Sequence, residues 1–453
     1  MPKGLKSLIQ WIWGFSFVRN AGVLGLAELW MAIMLFAQGI IVARWLGPEQ
    51  YGIAALIMSY PALLFGFFDA KASTATTKFV GEFSIQGRRE SALAMCRLSY
   101  LVDAGIALLT LVVVAATAGW AESHIVHTPG VAWLMTVYSL AYLFQAFASP
   151  SRAVLLLQGR FRSVAVAEGV SATIGASAVI GLVLYGWGVE GVVFGNMVAW
   201  VLSGLVLGAL AQQTIRRTWG GSWIRAPWRA LQGRKREIIR FLAFTELTEL
   251  FNLLGKQADI VILGYFSGPT QAGYYRVAKR MTGVVSVMVK PLQSVLYPRL
   301  AKQWGGAQFD EIRRTVSRYV FWMGLPLGGM VLLGIPLLPW AVVILVGEAY
   351  MPTVPVAQLL FATAGLWLVF SWLRPLFHAL GDVKFLFMNM AFLNVASAIG
   401  YVLAAPRWGA IGVAWATFLA SSICGFAVGL IYALYRLRRI ADSRSKTILD
   451  EKA

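Results

Sequence analysis

The sequence predicts an all-α integral membrane protein of about twelve transmembrane helices, arranged as two six-helix bundles related by a parallel repeat. Its composition is the first reason. Of 453 residues, 58% are apolar and only 13% charged, with a mean hydropathy of +0.69, which leaves too little polar surface to cover a soluble globule. The second reason is a succession of apolar stretches near the 20 residues that a helix needs to cross about 30 Å of hydrocarbon. The third is internal repetition. GPxQxG occurs as GPEQYG at Gly47–Gly52 and as GPTQAG at Gly268–Gly273, 221 residues apart. At the same offset Glu28 pairs with Glu249, and the WGxxGV of Trp187–Val192 recurs at Trp408–Val413. Several landmarks in one order at one spacing indicate two copies of a single folding unit.

The first six spans fall near 21–43, 51–68, 98–119, 131–150, 164–185 and 191–211, and the second six near 241–266, 272–298, 319–346, 354–380, 385–405 and 410–435. The domain plan is therefore a bundle over 1–211, a basic linker over 212–240, a second bundle over 241–435 and a basic tail over 436–453. Lys3, Lys6 and the aromatics of the first twenty residues read as an interfacial helix, since no small-residue cleavage site follows. An even number of spans per copy sends both copies into the membrane from the same side, the parallel plan of many transporters.

Cationic loops stay on the cytoplasmic side. With the N-terminus inside, the inner segments hold 31 of the 39 Lys and Arg residues and the outer loops two, Arg44 and Arg407. Both termini are thus expected in the cytoplasm of a multi-pass protein of the inner (plasma) membrane. The formal charge of +19 is accounted for by this placement against anionic lipid, so nucleic acid is not expected as a partner. The linker, with Gly220 and Gly221 and the stretch Arg225–Trp228, is long enough to leave the halves free to rock.

The remaining six cations, Lys256, Arg276, Lys279, Arg280, Lys290 and Arg374, lie inside predicted helices. A charge at that depth costs a few kcal/mol or more unless it faces a partner or a wet cavity. At 100° per residue, Arg276, Lys279, Arg280 and Lys290 share an arc of roughly 100°, a basic stripe on span 8. Span 7 presents Glu246, Glu249, Asn252, Lys256 and Asp259 on an arc of about 140°. The two stripes could neutralise each other as interhelical glue, with Lys256 bonded to Asp259 or Glu249. Spans 7 and 8 together hold five cations and three carboxylates, however, a surplus of two. Such a surplus suits an anion, and arginine forks with lysine point charges suit a diphosphate. Arg276, Lys279, Arg280, Lys290 and Lys256 are accordingly the candidate substrate-binding residues, and Glu28, Glu249, Glu246 and Asp259 the candidate coupling or gating carboxylates.

Weaker signals have blander readings. Asp69 and Lys71 suit a local ion pair, and Arg374, His378 and Asp382 a snorkelling edge. Most of the 18 tryptophans suit the headgroup belt. With no HxxEH-like, GxSxG or Walker sequence and three dispersed histidines, neither a metal site nor a cofactor is expected. A sodium ion or proton remains the candidate coupling cation.

The stretch IVARWLGPEQYGIAAL, Ile41–Leu56, followed by DAKASTATTKFV from Asp69, resembles the start of the Wzx-type oligosaccharide flippases of the multidrug/oligosaccharidyl-lipid/polysaccharide (MOP) exporter superfamily. Length, span number and duplication extend the resemblance over the chain. Lys71 and Lys78 stand where that family often has Gly and Arg. The resemblance implies a flippase, not an enzyme, that moves a polyprenyl-diphosphate-linked oligosaccharide from the inner to the outer leaflet by alternating access through a cationic central cavity. It also implies a lipid-linked oligosaccharide and membrane lipid as partners, with glycan-assembly proteins as further candidates. Two relatives in the same superfamily are alternatives, a cation-coupled multidrug exporter and a peptidoglycan-precursor flippase. The cation surplus disfavours the first and the span count the second. A membrane glycan polymerase or ligase would need an outer domain, for which the short outer segments leave no room.

Overall fold

The computed structural model describes residues 16–69, 71–306 and 308–438, and every regular element among them is helical. Most of the expected N-terminal interfacial helix and the basic tail from residue 439 lie outside the described residues. Seven helices are long and apolar enough to cross a membrane. Three of them, Gly22–Phe68, Phe161–Trp219 and Val383–Arg438, are double-length and break at Gly47, Gly186 and Gly409 respectively. Counted as two each, they give ten spans with the other four. The remaining two come from α6 and α7, which are less apolar than the seven.

The first copy contains α1 (Ser16–Phe68), α2 (Arg89–Ala121), α3 (Ala141–Leu157), α4 (Phe161–Leu182) and α5 (Gly188–Trp219). It is followed by α6 (Lys235–Lys256) and α7 (Ala258–Gly305), then by the Phe309–Val346 stretch, α8 (Thr353–Val369) and α9 (Val383–Ala420). The repeat read from sequence is present in the backbone. α1 turns at Gly47 with φ 75, ψ 172, and α7 turns at Gly268 with φ 79, ψ 179. That region is open essentially to glycine alone, which explains the first letter of GPxQxG. The second landmark behaves the same way, with Gly188 at φ 56, ψ −130 and Gly409 at φ 55, ψ −137. Side chains repeat as well. The Tyr100 and Ser151 hydroxyls are 2.8 Å apart, and so are those of Tyr319 and Ser371.

By contacts the chain forms two compact units, one of residues up to Leu46 with Ile57–Leu250, the other of Gly47–Leu56 with residues from Phe251 onward. The first copy's GPEQYG motif is thus part of the second unit, where it meets GPTQAG reciprocally. A Cβ on Gly52 would lie 1.8 Å from the Pro269 carbonyl oxygen, and one on Gly273 would lie 2.0 Å from that of Pro48. Two backbones approach to a distance that only glycine permits, so the last letter of each motif is set by its counterpart.

The linker differs from a free tether. α5 ends at Gly220, in the left-handed conformation, and the chain continues as two short 3-10 turns, Trp223–Arg225 and Trp228–Arg234, held on the first unit. Trp223 stacks on Tyr100 with centroids 4.5 Å apart. Arg97 donates to the Ala226 carbonyl at 2.8 Å and lies 4.5 Å from the Trp228 ring centre. Arg234 bridges Glu82 and Glu237, and Lys78 reaches Glu237 at 3.3 Å. Aromatic stacking supplies the docking that charge and length alone do not reveal. Hydrogen bonding to Arg234 holds the Glu82 and Glu237 carboxyls below their ordinary range. Depressed carboxyls stabilise the docked linker above the ordinary carboxylate pKa, and that contribution is lost as pH falls through their folded-state values.

Gly52→Ala and Gly273→Ala should each destabilise the protein by about 1–3 kcal/mol through overpacking. Gly105→Ala, inside α2 where nothing lies within 4 Å, should leave it as stable or slightly more so; thermal melting in detergent checks this, and equal melting of all three would contradict the reciprocal contact. The double substitution E82Q/E237Q should speed tryptic cleavage after Arg225 and Arg229 severalfold at neutral pH. Unchanged cleavage would mean the ion pairs do not hold the linker.

Candidate functional site

Span 8 is built by the turn at Gly268, which folds the second segment of α7 back beside its first. From there the helix runs to Gly305, so Arg276, Lys279 and Arg280 keep the shared face that their spacing implies. The fold-back brings Asp259, in the first turn of α7, level with residues 16 and 20 positions later. Asp259 is 1% exposed. Its Oδ2 accepts from Lys279 Nζ at 2.5 Å and from the Tyr275 hydroxyl at 3.0 Å, and its Oδ1 accepts from the Ile260 N–H at 2.8 Å. A buried carboxylate with three donors, one of them charged, is a compensated group. Beside it the Thr417 hydroxyl donates to the Tyr401 hydroxyl at 3.2 Å.

This arrangement revises two expectations. Lys279 is bound to Asp259 rather than being a mobile point charge, so it and Asp259 form one structural element. Asp259 also does not continue the polar face of α6, because that helix ends at Lys256 and the chain breaks at Gln257, φ −130, ψ −25. A break of register cancels any arc drawn across it.

Arg276 and Arg280 remain, one helical turn apart and half-buried. Both make protein interactions, and Arg280 has Tyr51 and Arg276 as electrostatic neighbours. Tyr51 is the variable residue before the last glycine of GPEQYG, so the reciprocal motif contact and the arginine pair adjoin within the second unit. Glu28 and Glu246 are half-buried in the first unit and engaged by neighbours. The side chains of Glu249, Lys256 and Lys290 lie outside the described residues.

Sequence reasoning missed the tyrosines. Tyr275 lies four residues before Lys279, which puts both on one face, and that spacing was the available signal; Tyr51 and Tyr401 had none. Of the weaker signals, Asp69 and Lys71 do form a local ion pair. Lys71 sits at φ 48, a left-handed conformation in which glycine is unstrained. Its N–H donates to Asp69 Oδ1 at 3.1 Å and its ammonium to Oδ2, contacts that offset the strain. Asp382 takes a two-pronged bond from Arg436 at 2.7 and 2.8 Å, a bidentate structural pair.

The sequence profile of polysaccharide biosynthesis proteins matches residues 17–304. The chain belongs to that family. Curated sequences include none significantly similar to it. Among solved structures it is similar to the inward-facing conformation of a multidrug resistance MATE family transporter of the MOP superfamily, with TM-score 0.74 and 14% identity over 91% of this chain and 96% of that one. It is similar also to the lipid II flippase MurJ in an inward closed conformation, with TM-score 0.71 and 14% identity over 91% and 87%. A third is a MOP superfamily transporter from Pyrococcus furiosus described by a binding pocket of reverse polarity, with TM-score 0.61 and 14% identity over 94% and 96%. At such identities the likeness is one of fold. The seven apolar helices and this shared fold make the chain a multi-pass membrane protein.

Lys279→Ala leaves the Asp259 carboxylate without its cation and should cost about 2–3 kcal/mol, below the usual range for a buried pair because Lys279 is partly exposed. K279Q/D259N should recover most of that loss. Thermal melting of the two variants tests it, and a double variant no more stable than Lys279→Ala would contradict the pairing.

Proposed function

We propose that this protein is a flippase that carries a polyprenyl-diphosphate-linked oligosaccharide from the inner to the outer leaflet by alternating access, with Arg276 and Arg280 holding the diphosphate. The arginine pair on α7 is the observation that carries the reading. With Lys279 taken by Asp259, two guanidinium forks one turn apart present planar donors suited to two adjacent phosphate groups. Membership of the polysaccharide biosynthesis protein family and a fold similar to that of a lipid II flippase support a lipid-linked saccharide as cargo. An unaided sugar head cannot cross hydrocarbon, since each unpaired hydroxyl costs kcal/mol and the diphosphate far more.

In this reading the protein performs no covalent chemistry and lies in the inner membrane with both termini cytoplasmic, as the positive-inside bias supports. Negative charge moving outward from a negative interior is favoured by about 2.3 kcal/mol per charge per 100 mV, which supplies a drive. Glu28, Glu246 and Glu249 are the carboxylates offered to a coupling proton or sodium ion. An exporter of organic cations would call for an acidic rather than an arginine-bearing site, which places the multidrug reading second.

R276A/R280A should abolish outer-leaflet glycan and cause the lipid-linked precursor to accumulate inside, measured by surface glycan labelling with lipid extraction. Normal surface glycan in the double variant would remove these residues from the transport path.

A further inference from the structure

The segment DAKASTATTKFV carries the family resemblance, yet no role for it follows from the arginine pair. In the first unit it forms the helical stretch 72–85, with a widened turn over Thr76–Val80. Its two faces differ. Towards the core, Thr76 donates to the Ala72 carbonyl at 2.9 Å, and its hydroxyl lies 2.6 Å from that of Ser99. The opposite face opens on a cleft of ≈ 550 Å³ lined by Ser73, Thr74, Thr77, Lys78, Ser149 and Arg152, with Phe241 at one wall.

The chemistry of this lining is specific. Four hydroxyls, two cations and an aromatic ring converge. Thr77 donates to the Ser73 carbonyl at 3.0 Å, whereas among the described residues the hydroxyls of Ser73, Thr74 and Ser149 make no hydrogen bond to the protein. Lys78 lies 4.6 Å from the Phe241 ring centre and pairs with Glu237 at 3.3 Å. Arg152, which lines the cleft, bonds Glu168 through Nε at 2.7 Å, so this bond does not use the terminal N–H groups. Hydroxyls that can donate and accept match the hydroxyls of a sugar, an aromatic wall matches a sugar's apolar face, and the cations match a phosphate.

We infer that this cleft is a saccharide-phosphate site, where the first sugar of the lipid-linked substrate is held by Ser73, Thr74 and Ser149 while Lys78 and Arg152 contact the adjoining phosphate. The inference rests on the flippase reading. It adds a second, separate holding position to that reading, in the first unit and next to the docked linker through Lys78 and Glu237, which takes the head group at a different stage from the arginine pair. Specificity for a glycosylated head over a bare diphosphate would then reside here, because directional hydroxyl contacts discriminate more sharply than charge.

Full-length protein in nanodiscs tests this with two probes, a short prenyl diphosphate bearing one N-acetylglucosamine and the same prenyl diphosphate without sugar. S73A/T74V/S149A should weaken binding of the glycosylated probe by about tenfold or more and leave the bare probe within about twofold, the latter also showing that the variant is folded. K78Q/R152Q should weaken both probes. N-acetylglucosamine 1-phosphate should compete only at far higher concentration than the prenyl-linked probe; competition at equal concentration would overturn the lipid-linked assignment. Unchanged affinity of the triple variant for the glycosylated probe, or equal loss for both probes, would overturn the cleft. Failure of the wild type to bind either probe would instead count against the flippase reading itself.

Discussion

A hydrocarbon bilayer accepts a charged side chain only where something meets it, and this constraint organises α6 and α7. Asp259 is buried because Lys279, Tyr275 and the Ile260 N–H all donate to it. The turn at Gly268 makes the arrangement feasible by folding the two segments of α7 side by side. Once that pair is closed, the arginines on the same face are set apart in kind. They are planar and held on a helix that the pairing fixes in place, a preorganisation that would favour a polyanionic ligand.

The duplicated motif connects that chemistry to the architecture. Gly52 and Gly273 lie against the carbonyls of Pro269 and Pro48, so the first copy's motif is built into the second unit and brings Tyr51 to Arg280. Gene duplication here did more than double the number of helices. Each copy's hexapeptide became the template for the other's, and neither glycine can change alone without a backbone shift. The same economy appears at Val179 with Gly195 and at Gly400 with Ala416, equivalent crossings in which the glycine has moved to the opposite partner.

Much of this was legible in the residues, and the limits have physical causes. GPxQxG and WGxxGV announced both the repeat and, through their glycines, the positive-φ turns at Gly47, Gly268, Gly188 and Gly409. The basic face of Arg276, Lys279 and Arg280 followed from helical spacing alone. Spacing could not give the Lys279 to Asp259 pair, because twenty intervening residues become neighbours only through the fold-back. Nor could it show that Asp259 leaves the face of α6, since Gly255, two residues before the break at Gln257, is one glycine among many in these helices and does not by itself announce a change of register. The linker was read from charge and length, yet its docking depends on Trp223 over Tyr100 and Arg97 over Trp228, contacts between residues far apart in sequence.

The central claim is that the arginine-bearing helix serves an anionic, sugar-bearing lipid rather than an organic cation. Proteoliposomes containing the purified protein, loaded on one side with a fluorescent prenyl-diphosphate sugar or with ethidium, test it most directly. The account predicts protein-dependent movement of the lipid-linked sugar across the bilayer and none of ethidium. Movement of ethidium with no movement of the lipid-linked sugar would contradict it.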